Sequence, residues 1–374
     1  MTLPPAVLQV LPALASGGVE RGTIEIAEAI RDAGLRPIVA SAGGSLVTEL
    51  ERLGVTHVTL PLATKSPLGL WRNAAALTAL AQAEGVRIIH ARSRAPAWSA
   101  LLAARRSGAA FVTTYHGAYN ENLPGKRIYN SVMARGDRVI AISRFIADLI
   151  QARHGVPESG IRLIPRGVDP RRFDPASLSA EAVAAQRAEW GAGPGDAVIL
   201  LPARLTRWKG QAVLVEALAH LPPTARIVLA GGGRDNFRDE LLALAARHGV
   251  ADRLRLAGHV PDLALAMAAA DIVVHASTDA EAFGRTVIEA QAMARPVVAA
   301  DLGGPRETVE HGVTGWRVPP GDPLALAAML AWVLAMPTAA RQAVGDAARD
   351  SVLRHYSTAA MQAATIAVYR ELLG

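Results

Sequence analysis

The strongest constraint on the fold is a repeated alternation of short β-branched runs with longer segments of helical periodicity. In the first half of the chain, an amphipathic stretch follows each strand-like run. This order predicts right-handed βαβ units, and therefore a parallel sheet with both faces covered by helices. The runs are 7–11, 37–41, 57–62, 87–92, 111–116 and 138–143.

The second half repeats the pattern, with strand-like runs at 198–203, 226–231, 254–258, 272–277 and 296–300. The segment between the halves, 169–196, has linker composition, with two Asp-Pro pairs and a glycine-rich end. We predict two tandem doubly wound α/β domains, 1–168 and 197–354, and a last helix over 358–373 after a polar break at 355–357. Ligands of such sheets bind at the carboxyl ends of the strands, and two facing domains place the site in the cleft between them.

Composition narrows the possible functions. The 374 residues are 51% hydrophobic, which is enough for large cores. The absence of Cys excludes disulfide scaffolds, thiolate zinc sites and thiol nucleophiles. The net charge of +6 is concentrated in residues 87–138, which hold nine basic and two acidic residues. No targeting segment or bilayer-length apolar run is recognisable, so we expect a soluble, cytoplasmic protein.

Two glycine-rich turns follow predicted strands. The first, Ser16-Gly17-Gly18, precedes a helix; its glycines let the backbone approach an anion, and the helix N-terminus presents N–H groups. It lacks the GxGxxG spacing of a dinucleotide site. The second is centred on Gly232, between two further glycines. Either turn is equally compatible with a tight bend that binds nothing.

Charged side chains mark the carboxyl ends of two other strands. Arg204, Arg207 and Lys209 follow the run 198–203 and can clamp a diphosphate. Glu281 and Glu289 follow the run 272–277, the second on a helix. Carboxylates at these positions can accept hydrogen bonds from the paired hydroxyls of a sugar or ribose. The N–H groups between them, of Phe283, Gly284 and Arg285, can face a phosphate.

The segment from Glu281 to Glu289 resembles the E-x7-E element of retaining glycosyltransferases with the GT-B architecture, in particular glycosyltransferase family 4. Six further segments are similar to that family in order and spacing: 17–20, 164–169, 204–210, 231–233, 257–260 and 303–307. The chain departs from the family pattern at Arg166, where Asn is common, and at Pro305-Arg306, where Ile-Pro is common.

The resemblance implies two Rossmann-like domains, with a nucleotide-diphosphate sugar held mainly by the second. UDP is the expected base, with GDP next. By analogy, Arg204 and Lys209 bind the diphosphate and Glu289 binds the ribose. Glu281, with the backbone at Phe283 and Gly284, binds hydroxyls of the transferred sugar.

Three further contacts are implied by the same resemblance. Gly18 approaches the phosphate from the first domain, the backbone near Val260 contacts the base, and His116 lies beside the transferred sugar. For His116, a purely structural imidazole at a strand end stays an alternative. The last segment, 355–374, is expected to cross back and pack on the first domain.

The resemblance also implies that the anomeric configuration is retained. No carboxylate in the first half is obviously placed as a covalent nucleophile, so we expect a front-face route. The leaving diphosphate would accept the acceptor's proton while Arg204 and Lys209 stabilise its negative charge. No Asp-x-Asp motif ends a strand, and we expect catalysis without a metal or a cofactor.

The basic stretch of the first domain suggests the acceptor side. Arg92 and Arg94 follow a strand, and Lys126 and Arg127 open a helix predicted over 125–134, beside apolar residues. Such a helix suits an anionic membrane surface or a phosphorylated glycolipid, although a solvated Arg-rich surface explains it equally. We expect a cell-envelope acceptor, such as a lipopolysaccharide core or another lipid-linked glycan, reached by peripheral binding at the inner face of the plasma membrane.

Three alternatives stay open at this stage. A nucleotide-sugar epimerase or an inverting transferase shares the architecture, and an epimerase would convert the donor without an acceptor. A two-domain sugar-binding protein of the periplasmic type would leave both charged clusters unexplained. Nucleic-acid binding is disfavoured because aromatic residues, at 4%, are too few to alternate with the basic residues and form a stacking platform for nucleobases.

Overall fold

The structure is a computed structural model that describes residues 3–15 and 17–374. Its contacts divide the chain into two compact units, one of residues 1–166 with 358–374 and one of residues 167–357. Each unit contains one parallel sheet with helices between the strands. The predicted pair of doubly wound α/β domains is therefore confirmed.

The first unit contains a seven-stranded sheet of order β3-β2-β1-β4-β5-β6-β7. Its buried strands are rich in Val and Ile, as expected for a sheet covered on both faces. The strands are Ala6–Val10 (β1), Arg36–Ser41 (β2), Thr56–Thr59 (β3), Val86–Ala91 (β4), Ala110–Tyr115 (β5), Arg138–Ala141 (β6) and Ile161–Leu163 (β7). The helices are Gly18–Asp32 (α1), Val47–Arg52 (α2), Pro67–Ala83 (α3), Arg94–Ser107 (α4), Lys126–Ser131 (α5) and Arg144–His154 (α6).

The second unit contains a six-stranded sheet of order β10-β9-β8-β11-β12-β13. Its strands are Ala197–Pro202 (β8), Ala225–Ala230 (β9), Leu254–Gly258 (β10), Ile272–His275 (β11), Val297–Ala300 (β12) and Trp316–Val318 (β13). The helices are Ala180–Glu189 (α7), Gln211–Leu218 (α8), Asp235–Arg247 (α9), Leu263–Ala268 (α10), Arg285–Ala292 (α11), Pro305–Thr308 (α12), Pro323–Ala335 (α13) and Thr338–His355 (α14).

The last helix, Thr358–Leu373 (α15), returns to the first unit, as expected. Met361, Ile366 and Val368 join the core formed by β1, β4 and α1. The hydroxyl of Tyr369 lies 2.6 Å from Nδ1 of His90 on β4, and both side chains are buried. Burial of one helix face thus fixes the end of the chain on the first sheet.

The segment 169–196, expected to be a linker, is instead folded into the second unit. It contains α7, which packs on α10. The Arg187 guanidinium pairs with Asp271 at 3.0 Å, and Trp190 is buried. Proline and glycine in this segment mark the turns that flank a helix.

Two other features differ from the sequence prediction. The edge strands β7 and β13 have three residues each and were not expected, because so short a run carries little periodicity. The helix predicted over 125–134 is divided into α5 and a 3₁₀ turn, Val132–Ala134. In the described part of the chain, no single helix has both the length and the apolar character to cross a membrane, and only α13 and α14 together, bent by 111°, reach that composition.

Candidate functional site

The order of the second sheet reverses between β8 and β11, which are neighbours although two strands separate them in sequence. At such a switch point the loops after the two strands diverge and leave room for a ligand. The loop after β8 carries Arg204 and Lys209, and the loop after β11 carries Glu281. The topology therefore places the predicted cations and the first predicted carboxylate at one edge.

A close approach of backbones holds the two loops together. Gly210, the residue before α8, has a φ of 73°. A side chain there would collide with the carbonyl oxygen of Ala276, just after β11. A backbone hydrogen bond also joins the two loops: the carbonyl of Trp208 accepts from the N–H of Thr278 at 2.8 Å. The glycine is thus required for Lys209 to reach the loop after β11.

Glu281 is the centre of the site. Its Oε2 lies 2.6 Å from Nζ of Lys209 and 2.7 Å from Nε2 of His275, and the hydroxyl of Ser277 donates to it at 3.4 Å. Burial raises the pKa of Glu281, but the hydrogen bonds and charges of His275 and Lys209 outweigh it and hold the pKa at about 2. The carboxylate is therefore ionised at neutral pH and accepts hydrogen bonds only.

Sequence reasoning missed His275. It is the last residue of β11 and is only 6% exposed. Its one signal was a histidine at the carboxyl end of a predicted strand, six residues before Glu281. The six-residue spacing does not indicate that the loop folds back and brings the carboxylate within hydrogen-bond distance of the imidazole.

The Glu281 loop rests on the turn that contains Gly303 and Gly304. The N–H of Gly304 donates to the carbonyl of Glu281 at 2.8 Å, and a side chain at Gly304 would collide with Cα of Phe283. Phe283 is buried and packs edge-to-face on Tyr356, with ring centroids 5.8 Å apart. The double-glycine segment noted in the sequence therefore supports the Glu281 loop from behind.

The second predicted carboxylate lies on α11, which begins after Gly284. Glu289 is 7% exposed and lies 3.4 Å from the guanidinium of Arg285, one turn earlier. Glu281 thus lies in the loop before α11 and Glu289 lies on the helix, in agreement with an E-x7-E element that spans the start of a helix. Arg285, predicted to present its N–H group to a phosphate, is the first residue of the helix.

The other predicted donor residues of the second unit lie in its strand-end loops. The Arg204 side chain is exposed, and no described residue pairs with it. The loops after β8 and β9 are joined, since the N–H of Leu205 donates to the carbonyl of Gly232 at 2.9 Å. The space beside the Cα of Gly232 is open. Val260 follows β10 by two residues and is half-buried.

In the first unit, the glycine turn leads into α1. Gly17 precedes the helix with a φ of 144°, and Gly18 is its first residue; Ser16 lies outside the described residues. The carbonyl of Gly18 accepts a hydrogen bond from the buried Arg166 guanidinium. The arginine that departs from the family pattern is thus committed to the backbone of this turn.

His116 follows β5, and its Nε2 is buried without a hydrogen-bond partner among the described residues. Burial, followed by the charges of Arg166, Arg92 and His90, holds the pKa of His116 well below its usual range. The imidazole is therefore neutral at physiological pH.

The residues predicted for the acceptor or membrane side differ in their exposure to solvent. Arg92 does not lie on the surface: it is 3% exposed and its guanidinium donates to Gln9 at 3.3 Å, because it follows the central strand β4. Arg94 is half-buried over the Tyr119 ring, 4.0 Å from its centroid. Lys126 is half-exposed and Arg127 is exposed, both on α5.

The described part of the chain contains no group of three or more His, Asp or Glu side chains placed to hold a metal ion.

Comparison with known proteins follows the same division. The family model described as Glycosyltransferase Family 4 matches residues 16–172, and the one described as Glycosyl transferases group 1 matches residues 183–351. A glycosyltransferase from Rickettsia africae ESF-5, of known structure, is 35% identical, with a TM-score of 0.90 over 99% of both chains. The chain belongs to this glycosyltransferase family. Its two sheets are those of the GT-B architecture.

Two further proteins are similar to this chain. Anabaena HepE, whose structure is known in complex with UDP-glucose, has 26% sequence identity to this chain. The TM-score is 0.87 over 98% of this chain and 99% of that one. A D-inositol 3-phosphate glycosyltransferase from Xylanimonas cellulosilytica is 40% identical over 209 residues, which are 54% of this chain and 50% of that protein. This chain spans about half the length of the curated relatives it matches.

Proposed function

We propose that this chain transfers a sugar from a nucleotide-diphosphate sugar to an anionic acceptor, with retention of the anomeric configuration. The donor is a UDP-sugar, with a GDP-sugar next. The observation that carries the proposal is the contact of Lys209 and His275 with Glu281 at the switch point of the second sheet. The complex of the related HepE protein with UDP-glucose supports the choice of base.

The donor roles follow from the chemistry of the groups. Arg204 and Lys209 bind the diphosphate, since both cations follow β8: Arg204 is exposed and pairs with no described residue, and Lys209 is 14% exposed and pairs with Glu281. Glu289 accepts from the ribose hydroxyls, and Glu281 accepts from a hydroxyl of the transferred sugar. His116 of the first unit, neutral at physiological pH, is proposed to hydrogen-bond the same sugar.

The proposed reaction is a front-face displacement. The bond from the anomeric carbon to the diphosphate oxygen breaks, and a bond to the acceptor oxygen forms on the same face. The acceptor's proton moves to the leaving diphosphate oxygen. Arg204 and Lys209 stabilise the charge that develops there. We propose that no metal or cofactor takes part, and full activity in excess EDTA would support this.

The acceptor is proposed to be an envelope glycan on an anionic membrane, such as a lipopolysaccharide core or another lipid-linked glycan. Leu123 and Ile128 are 59% and 68% exposed and flank Lys126 and Arg127 on the first unit. Apolar side chains among cations suit an anionic membrane surface at the cytoplasmic face. The name of the Xylanimonas relative makes D-inositol 3-phosphate a second candidate acceptor.

Thermal unfolding with UDP, GDP, ADP and their sugar conjugates tests the donor. A ligand at 100 times its Kd stabilises its binding unit by about 2.7 kcal/mol. We expect a shift with UDP and UDP-glucose that is lost in Lys209→Ala and Glu289→Ala. Arg207→Ala is the matched control, because that cation of the same turn is bonded to Glu240. No shift with any nucleotide would refute the proposal and revive the sugar-binding protein.

Product analysis tests the acceptor. UDP-glucose is incubated with lipopolysaccharide core, with D-inositol 3-phosphate or with no acceptor; donor conversion without acceptor would indicate the epimerase. Flotation with anionic vesicles at low salt tests the membrane surface, with Ile128→Glu expected to abolish binding. Leu242→Glu, at a 40% exposed position of the second unit, is the control.

A further inference from the structure

Three hydrogen-bond donors converge on a single oxygen of Glu281. Lys209, His275 and Ser277 all contact Oε2, at 2.6, 2.7 and 3.4 Å. The other oxygen, Oε1, accepts no hydrogen bond from any residue of 3–15 or 17–374. The carboxylate is thus bound on one side only, with 21% of the side chain exposed.

Of the three donors, His275 is the one that is both fixed by a strand and within 2.7 Å of Oε2. It ends β11, where it is paired with Ala299 of β12 in the parallel ladder, and its side chain is 6% exposed. Lys209 is a flexible chain from a neighbouring loop, and its ammonium also lies 4.3 Å from the centre of the Trp208 ring. Ser277 lies farther from Oε2 and also contacts the imidazole at 3.3 Å.

We propose that His275 is a positioning residue, which holds Oε2 of Glu281 so that Oε1 faces a hydroxyl of the donor sugar. This inference rests on the proposed function of Glu281 as the sugar-binding carboxylate. Because the carboxylate is an acceptor, Nε2 of His275 donates. The bond stays in place when Lys209 turns toward the diphosphate of the donor, so the sugar contact does not depend on that lysine.

The proposal separates two parts of the donor. UDP has a diphosphate and a ribose but no transferred sugar, so loss of the His275 contact should leave its affinity nearly unchanged. UDP-glucose also carries the sugar hydroxyls, so its affinity should fall. A merely structural role of a buried histidine would weaken both ligands together or neither.

Titration calorimetry of UDP and UDP-glucose with three variants of the full chain tests this. His275→Leu removes the donor at similar volume, and His275→Gln keeps an amide N–H near the position of Nε2. Val274→Ala, on the same strand and 1% exposed, disturbs the core without touching Glu281. A hydrogen bond to a charged group corresponds to roughly a tenfold change in Kd.

We expect His275→Leu to raise the Kd of UDP-glucose about tenfold and that of UDP less than about twofold. His275→Gln should recover most of the loss, and Val274→Ala should lower the Tm with an unchanged ratio of the two constants. If the ratio of the two Kd values is unchanged in His275→Leu, or changes equally in Val274→Ala, the proposed role of His275 is overturned while the proposed function still stands. Failure of the wild-type chain to bind any nucleotide or nucleotide-sugar would overturn the proposed function and this inference with it.

Discussion

The ammonium of Lys209 lies 2.6 Å from Oε2 of Glu281, so the cation proposed for the diphosphate and the carboxylate proposed for the sugar form one ion pair. Both side chains are mostly buried, at 14% and 21% exposure. In such a setting, removing one partner leaves the other charge without its counter-charge. Substitutions here should therefore affect stability as well as binding.

Glu281→Gln should change how stability depends on pH. The pKa of Glu281 is held at about 2 in the folded chain, below the ordinary value of 4.5. The ionised carboxylate therefore stabilises the fold fully at pH values above its ordinary pKa of 4.5. This stabilisation is lost as the pH falls through about 2. Between these two pH values, the excess in the free energy of unfolding of wild type over Glu281→Gln should shrink by on the order of 3 kcal/mol.

Urea unfolding at a series of pH values, down to the lowest at which both chains fold, measures this difference. Glu240→Gln is the control, because Glu240 pairs with Arg207 at an exposed position. Its curve should run parallel to that of wild type. Parallel curves for Glu281→Gln as well would contradict the strong binding of this carboxylate.

Arg204→Ala should separate catalysis from stability. The Arg204 side chain is exposed and pairs with no described residue, so its removal should change the free energy of unfolding by less than about 0.5 kcal/mol. Loss of one cation at the leaving group should nevertheless lower kcat by roughly 10²–10³. Steady-state kinetics and urea unfolding of the same preparation measure both. A kcat within twofold of wild type would remove Arg204 from the mechanism.

Glu289→Gln should weaken nucleotide binding through the ribose. A neutral amide is a poorer acceptor for two hydroxyls than the carboxylate, so the Kd of UDP should rise about tenfold. An analogue that lacks both ribose hydroxyls, 2′,3′-dideoxy-UDP, should bind wild type and variant alike. Calorimetry with both ligands measures this, and an equal loss for both would mean that Glu289 acts through the fold of α11.

Tyr369→Phe should destabilise the first unit. It removes the partner of the buried His90 Nδ1, which lies 2.6 Å from the hydroxyl, and an unsatisfied buried group costs about 1–3 kcal/mol. Tyr356→Phe is the comparison, since that hydroxyl donates to the Glu307 carbonyl at 3.2 Å in an exposed setting. Urea unfolding should show the larger loss for Tyr369→Phe, and equal losses would refute this anchoring of α15.

Prediction from the sequence succeeded where a signal is local. The alternation of strand and helix periods predicted both sheets, and α15 begins and ends at the residues expected for it. The role of residues 169–196 was misjudged, because turn-forming residues occur equally in linkers and beside short helices. The sequence does not indicate that Arg92 is buried, because a basic residue after a strand looks the same whether that strand is central or at an edge.

The sequence by itself determined the two-domain α/β class, the positions of Lys209 and Glu281 after strands and of Glu289 on a helix, and the glycines of the loops that carry them. Only the tertiary structure decided that His275 and Lys209 share one oxygen of Glu281. The physical reason is the strand order: β11 lies next to β8, so residues more than sixty positions apart meet within hydrogen-bond distance. Periodicity and motifs describe neighbours along the chain, whereas this contact depends on which strands are neighbours in the sheet.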